Sequence, residues 1–86
     1  MKLKPEFITH VTPTEAMLVP TGAANFSGLV RGNKTFGAVL EQLKKDTTEE
    51  TIVAALMERF DAPEEVVARD VKKTLSELRK IEALDG

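Results

Sequence analysis

The sequence predicts an α+β fold in which a three-stranded antiparallel sheet is followed by three α-helices. In the first third of the chain, three short apolar or β-branched runs end at proline or glycine, which is typical of strands joined by turns. In the remaining two-thirds, three segments begin with a capping residue and continue with apolar residues at helical spacing. A length of 86 residues predicts that residues 1–86 form a single domain.

The three predicted strands cover residues 7–12, 16–19 and 26–31. Pro13 either ends the first strand or places it on a sheet edge, because proline lacks the amide donor that a ladder of hydrogen bonds needs. The second run stops at Pro20 and the third at Gly32. Short strands joined by turns favour an antiparallel meander.

The first two helices are each marked by a capping signal. Asn33 can accept a hydrogen bond from a free amide of the first turn, so the first helix is predicted to begin after it. Thr47 and Glu50 have the spacing of a capping box, which starts the second helix at Thr47. Gly37 weakens the first helix by about 1 kcal/mol relative to alanine, but it lets another backbone pack closely. The inner face of the first helix holds residues at spacings of three and four: Phe36, Val39, Leu40 and Leu43.

The third helix is the longest, and Asp61, Pro63 and Glu64 are predicted to form its start. Its inner face consists of Val67, Val71, Thr74, Leu75, Leu78 and Ile81. One flank of that face is small and basic, with Ala68, Lys72, Ser76 and Arg79. The other flank carries mixed charge, with Asp70, Lys73, Glu77 and Lys80. The basic flank is either a solvated surface or the border of a binding groove.

The sequence predicts no catalytic residue, no metal site and no bound cofactor. There is no cysteine, which excludes disulfides and thiolate metal sites. His10 is the only histidine, and neither Ser27 nor Ser76 has a motif that would make it a nucleophile. The adjacent glutamates fall in helix first turns, where the macrodipole favours acids.

Charge and hydropathy restrict the partners and the compartment. The net charge of -2 gives no overall attraction to nucleic acid. No apolar run approaches the roughly 20 residues of a membrane span. The basic start of the chain has no apolar signal core behind it, so we expect a cytoplasmic location.

A set of residues between positions 28 and 84 is specific as a combination, although each piece is weak alone. Its members are Gly28, Leu29, Val30, Asn33, Thr35, Thr47, Thr48, Glu49, Glu50, Ile52, Val53, Ala55, Leu56, Phe60, Asp61, Asp70, Val71, Leu75, Leu78, Arg79, Ala83 and Leu84. This order and spacing resemble the PqqD-like family, and the resemblance covers roughly residues 7–84. Two features depart from the family pattern. Gly32 replaces a common apolar residue, and Phe36 and Ala38 exchange the usual small and large positions.

The resemblance implies a winged-helix-like recognition element for ribosomally made and post-translationally modified peptides (RiPPs). Such a domain binds a precursor's leader peptide as an extra strand between its third strand and third helix. It presents that leader to a modifying enzyme, typically a radical S-adenosylmethionine enzyme. The residues implied to bind the leader are Phe26, Ser27, Gly28, Leu29, Val30, Arg31, Lys72, Leu75, Ser76 and Arg79. Among them, Lys72 and Arg79 would pair with acidic leader residues.

Two other functions fit the predicted fold. A winged-helix DNA-binding regulator also combines three helices with a small sheet. The net charge and four acids of the third helix oppose it, since they would repel phosphates: Glu64, Glu65, Asp70 and Glu77. The remaining alternative is a structural or partner-docking role without a leader peptide.

Overall fold

The structure is a computed structural model that describes residues 1–22 and 28–85. Its strands are β1 (Lys2–Leu3), β2 (Phe7–Val11), β3 (Ala16–Pro20), β4 (Val30–Gly32) and β5 (Leu84–Asp85). Its helices are α1 (Lys34–Gln42), α2 (Glu49–Arg59) and α3 (Glu64–Lys80). The predicted architecture is confirmed, because a three-stranded antiparallel sheet precedes three helices. No helix of the described residues is both long and apolar enough to cross a membrane.

The main sheet has the order β2-β3-β4, so β2 and β4 are its two edges. Leu18 in the middle strand pairs with Thr9 on one side and Val30 on the other. Side chains alternate between the faces of a sheet. Leu18 is accordingly buried against the helices, whereas Ile8 and Arg31 are exposed on the outer face.

The third strand of this sheet differs from its predicted bounds. Its pairing covers Val30–Gly32, so Gly32 belongs to the strand and does not end it. Gly28 has a φ of 124°, a conformation that favours glycine and lies outside the β region. Leu29 precedes the first paired residue, and the predicted strand residues Phe26 and Ser27 lie outside the described residues.

A second, two-stranded sheet had no signal in the sequence. It pairs β1 with β5 in antiparallel orientation. Two residues per strand are too few to show a period of two. The Leu3 amide donates to the Leu43 carbonyl at 2.9 Å, and the Lys4 amide donates to the Ala83 carbonyl at 2.9 Å. These bonds tie the first residues to the ends of α1 and α3.

The caps of two helices correct the sequence predictions. Asn33 caps α1 as predicted, since its side chain accepts from the Phe36 amide at 3.1 Å. Thr48, not Thr47, caps α2, because its hydroxyl accepts from the Thr51 amide at 3.2 Å. Pro63 occupies the N-cap of α3 without any side-chain hydrogen bond, so the predicted capping box from Asp61 does not form.

Thr47 is unavailable as a cap because the first residue of the chain holds its backbone. The Thr47 amide donates to the Met1 carbonyl, and the Met1 amino group donates to the Thr47 carbonyl, both at 2.8 Å. The same amino group donates to Asp46 at 2.6 Å, which holds the pKa of that carboxyl below its usual value. The Thr47 hydroxyl is left buried, with no partner among the described residues.

The core lies between the main sheet and the three helices. Gly37 lets α1 approach the sheet closely, but its near neighbours are side chains of the sheet and not the backbone that was predicted. A Cβ at Gly37 would stand 3.1 Å from the Ala16 Cβ and 3.2 Å from a Val11 methyl. The largest fully buried side chains are Leu18, Val39, Leu40, Leu43, Ile52, Leu56, Val71, Leu75 and Leu78.

Candidate functional site

The edge of β4 that faces away from β3 is free in the part of the chain that the structure describes. β4 pairs with β3 alone, and no other backbone–backbone hydrogen bond of the described residues reaches Val30–Gly32. Along an antiparallel strand, amide and carbonyl groups point alternately to the two neighbours. The free edge of β4 therefore offers unpaired donors and acceptors to another extended chain.

A groove of about 340 Å³ opens beside this edge. Its strand side is formed by Val30, Arg31 and Gly32. Its end is closed by the start of α1, where Asn33, Thr35 and Phe36 lie. Its opposite wall is α3, which contributes Asp70, Lys73, Thr74 and Glu77. The volume falls within the range of ordinary ligand sites in proteins, about 300–1,000 Å³.

The structure does not bring the helix residues predicted for the site into this groove. Lys72 and Ser76 are exposed on the other flank of α3, and they do not line the groove. Arg79 lies on that flank too, with a guanidinium nitrogen 3.6 Å from the Met1 sulfur. Leu75 is fully buried in the core, where it supports the fold and offers no surface to a ligand.

The difference between the predicted and the observed lining of the groove has a simple physical cause. Periodicity identifies the inner face of a helix, here Val71, Leu75 and Leu78, but not the side on which a neighbouring strand lies. In the structure β4 lies beside the mixed-charge flank, so Lys73 takes the place predicted for Lys72. The mixed-charge flank was visible in the sequence, but nothing there assigned it to the groove.

The strand residues of the predicted site are only partly brought to the groove. Val30, half-buried, and Arg31, exposed, both line it. Gly28 and Leu29 are exposed ahead of β4, and Leu29 is 52% exposed. Phe26 and Ser27 lie outside the described residues. A binding role for these residues stays a prediction.

The charged side chains of the α3 wall have no ion-pair partner within the described residues. The ion pairs found there join Met1 to Asp46 and Arg59 to Glu41, away from the groove. The Thr74 hydroxyl donates to the Asp70 carbonyl at 2.9 Å, a bond within the helix. The carboxylates of Asp70 and Glu77 are therefore available to a ligand.

Gly32 and Phe36 pack against each other at the end of the groove. A Cβ on Gly32 would lie 2.4 Å from Cγ of Phe36 and 2.5 Å from its Cβ. Within this chain, Phe36 therefore fills the space that the missing side chain at position 32 leaves.

No metal site accompanies the groove. Among residues 1–22 and 28–85, no group of three or more histidine, cysteine, aspartate or glutamate side chains could hold an ion. His10 is exposed on β2, which is the sheet edge opposite to β4. The described arrangement suits a binding surface made of backbone groups, charges and a little apolar area.

Two solved structures share the fold. TbiB1 in complex with the TbiA(beta) leader peptide matches with a TM-score of 0.80 and 20% identity, over 100% of this chain and 96% of that one. Lasso peptide synthetase B1 complexed with the leader peptide matches with a TM-score of 0.74 and 16% identity, over 98% and 96%. At these identities the likeness establishes the winged-helix-like architecture. The comparison with curated proteins gives no match.

The comparison with protein families tests the resemblance found in the sequence. The family described as coenzyme PQQ synthesis protein D (PqqD) matches residues 16–84, which hold β3, β4, the three helices and the start of β5. The match spans well over half of the 86 residues. The chain therefore belongs to the PqqD family.

Proposed function

We propose that this protein is a RiPP recognition element that captures the leader of a ribosomally made precursor peptide and presents it to a modifying enzyme. The leader adds as a strand to the free edge of β4 and lies against α3. One observation carries this proposal: the unpaired edge of β4 opens directly onto a groove. Family membership supports it, as do the leader peptides in both similar structures.

The short length of β4 limits the share of the leader affinity that backbone hydrogen bonds can supply. Each backbone hydrogen bond gives a net ~0.5–1.5 kcal/mol, and a strand of 3 residues can form only a few of them. Micromolar binding needs about -8 kcal/mol, and ordering the peptide opposes it. Side-chain contacts in the groove must therefore supply a large share of the affinity and most of the sequence preference.

The chemistry belongs to the partner enzyme. The family resemblance predicts a radical S-adenosylmethionine enzyme, and a chain without cysteine cannot ligate its iron–sulfur cluster. Purified protein alone is expected to bind the precursor and leave its mass unchanged. A modified precursor after incubation with the isolated wild-type protein, but not with a point variant, would contradict this division. The cytoplasmic location stays a prediction of the sequence.

The DNA-binding alternative is weakened by the surface of α3. The helix exposes four acids, which would add repulsion from the phosphates of a duplex if α3 entered a groove: Glu64, Glu65, Asp70 and Glu77. A gel shift with random duplex DNA at low salt is expected to show no complex. A complex at low micromolar protein would favour the regulator instead.

Strand addition is tested by a scan of N-methylated leader peptides from the precursor encoded beside this chain. N-methylation removes one amide donor at a time and leaves the protein untouched. Because alternate amides of a paired strand face the sheet, the affinity should fall at every second residue of the bound segment. The loss expected for each inward amide is about tenfold, from one hydrogen bond and the steric clash. An affinity that does not alternate along the peptide contradicts strand addition.

A further inference from the structure

When a leader peptide pairs with β4, the pairing determines the face of the sheet from which each leader side chain projects. Residues directly opposite each other in neighbouring strands project from the same face of a sheet. Arg31 projects from the outer face, in one row with Met17 and His10. A leader residue opposite Arg31 must therefore point outward beside it. The leader residues before and after that one must point inward, toward α3.

The outer face beside Arg31 lacks acids. The outward residues of the described sheet are Ile8, His10, Met17, Val19 and Arg31, none of them acidic. Arg31 is exposed and makes no ion pair with any described residue. The chain has 14 acidic residues, yet none of the described ones pairs with Arg31 on this face. The Arg31 guanidinium is therefore available to a carboxylate of a ligand.

The inward side of the bound strand faces the opposite charge. Asp70 lies at the Gly32 end of the groove, because it lines a neighbouring hollow together with Thr35 and Asp61. Glu77 follows two turns later, about 10.5 Å along the helix axis. Two inward residues of a strand are about 6.7 Å apart. The two inward leader residues therefore face the α3 wall of the groove, which carries the Asp70 carboxylate toward one end and the Glu77 carboxylate toward the other.

Lys73 stands between these acids on the same wall of the groove. At about 100° per residue, its direction is roughly 160° from the buried Val71. The directions of Asp70 and Glu77 are about 100° and 120° from Val71. Lys73 therefore points farther from the buried face of α3 than Asp70 and Glu77 do.

We propose that this groove selects leader segments in which a lysine or arginine directed at Asp70 and Glu77 is adjacent to an aspartate or glutamate directed at Arg31. This rests on the proposed strand addition and specifies the peptide that it accepts. The recognised feature is a neighbouring pair of opposite charges. An acidic segment, which Lys72 and Arg79 would have favoured, does not have this feature.

The test is a selection from a random 12-residue peptide library displayed on phage, against the wild-type chain and two charge-reversed variants. One variant is Arg31→Glu, and the other combines Asp70→Lys with Glu77→Lys. The control for the double variant combines Glu58→Lys with Asp85→Lys, two exposed positions outside the groove at which the same change in charge is made. Circular dichroism melting checks that each variant is folded.

Wild type and control are expected to enrich peptides with a basic residue next to an acidic one. The variant with Asp70→Lys and Glu77→Lys should lose the basic preference, and Arg31→Glu should lose the acidic one. An enriched wild-type peptide should bind each variant about tenfold more weakly, as expected for replacing attractive with repulsive pairs. Exchanging the matching charge in that peptide should restore binding to the variant.

Two results overturn the inference, and they have different meanings. If wild type enriches peptides that lack the pair, or if the variants keep the wild-type preference, the charge assignment is wrong while strand addition stands. If wild type enriches no peptide at all, strand addition fails and this inference fails with it. A variant that does not fold is replaced by Asp70→Asn with Glu77→Gln, which removes the attraction without adding repulsion.

Discussion

Gly32 and Phe36 act as one packing unit at the end of the groove. The phenyl group of Phe36 is 8% exposed and stands where a side chain at position 32 would be. Because the Phe36 Cβ belongs to the first turn of α1, it cannot swing away from a new group on Gly32. The strand edge and the start of α1 are therefore held at a fixed separation beside the site.

This packing predicts that Gly32→Ala destabilises the protein by about 1–3 kcal/mol through overpacking. Gly22→Ala is the matched control, since nothing lies within 4 Å of a Cβ at Gly22. Urea denaturation measures both, and the cost of Gly32→Ala should shrink when Phe36→Ala is already present. Equal stability of the two glycine variants, or strict additivity with Phe36→Ala, would show that the two residues do not compete for space.

The pKa of Asp46 is lowered by its contact with the first residue of the chain. Its carboxylate accepts from the Met1 amino group, and this bond, then the positive charge, lowers its pKa below 3.8. A lowered pKa stabilises the fold at pH values above 3.8, and the contribution disappears as the pH falls through the folded-state pKa. The side chain is 82% exposed, so solvent screening keeps the effect small.

Asp46→Asn should therefore lower the free energy of unfolding slightly at pH 7, in a protein that begins with a free Met1 amino group. The difference from wild type should close as the pH falls through the folded-state pKa, which lies below 3.8, because the wild-type carboxylate then becomes neutral as well. Urea denaturation from pH 7 to pH 2 measures it. Acetylation of Met1 should remove the same contribution. If the difference in stability persisted unchanged at pH 2, the negative charge of Asp46 would not be its cause.

At the level of the elements, the sequence predicted the presence of each helix more accurately than the residue at which it begins. The apolar stripe of each helix follows from its spacing, and Val71, Leu75 and Leu78 are buried as predicted. The start of α2 was one residue off, because both Thr47 and Thr48 can cap. The choice is made by Met1, whose backbone bonds to Thr47 come from 46 residues away. No local pattern contains that contact.

The two threonines should respond oppositely to substitution. Thr48→Ala removes the N-cap of α2 and should cost about 1 kcal/mol. Thr47→Val removes a buried hydroxyl that has no partner among the described residues, so it should be neutral or stabilise by up to about 1 kcal/mol. Chemical denaturation of both variants checks the assignment. If Thr47→Val lowered the free energy of unfolding and Thr48→Ala did not, Thr47 would be the N-cap of α2.

At the scale of the whole molecule, the groove depends on which flank of α3 faces β4, and the sequence pattern did not predict that flank. Composition and turn residues predicted three strands and three helices, and the structure confirms them. The flank of α3 that faces β4 depends on how the sheet packs on the helices. For that reason Lys72 and Arg79 lie outside the groove, and their binding role stays a prediction. Val30 and Arg31 are the predicted strand residues that pair in β4.

The two flanks of α3 can be compared directly. Lys72→Glu combined with Arg79→Glu reverses two exposed charges on the flank away from the groove. Leader affinity, measured by isothermal titration calorimetry, should stay within about twofold, because exposed charges outside the site are screened within roughly 8–10 Å. A loss of tenfold or more in a folded variant would place the leader on that flank.

Intermolecular nuclear Overhauser effects between a labelled protein and an unlabelled leader peptide test strand addition beside the mixed-charge flank most directly. Two methyl groups report the two flanks. Thr74 lines the groove, whereas Ala68 lines a separate hollow between α2 and α3. We expect contacts from the peptide backbone to Val30–Gly32 and to the Thr74 methyl, with none to Ala68. Contacts to the Ala68 methyl, with β4 silent, would contradict the groove and its proposed function.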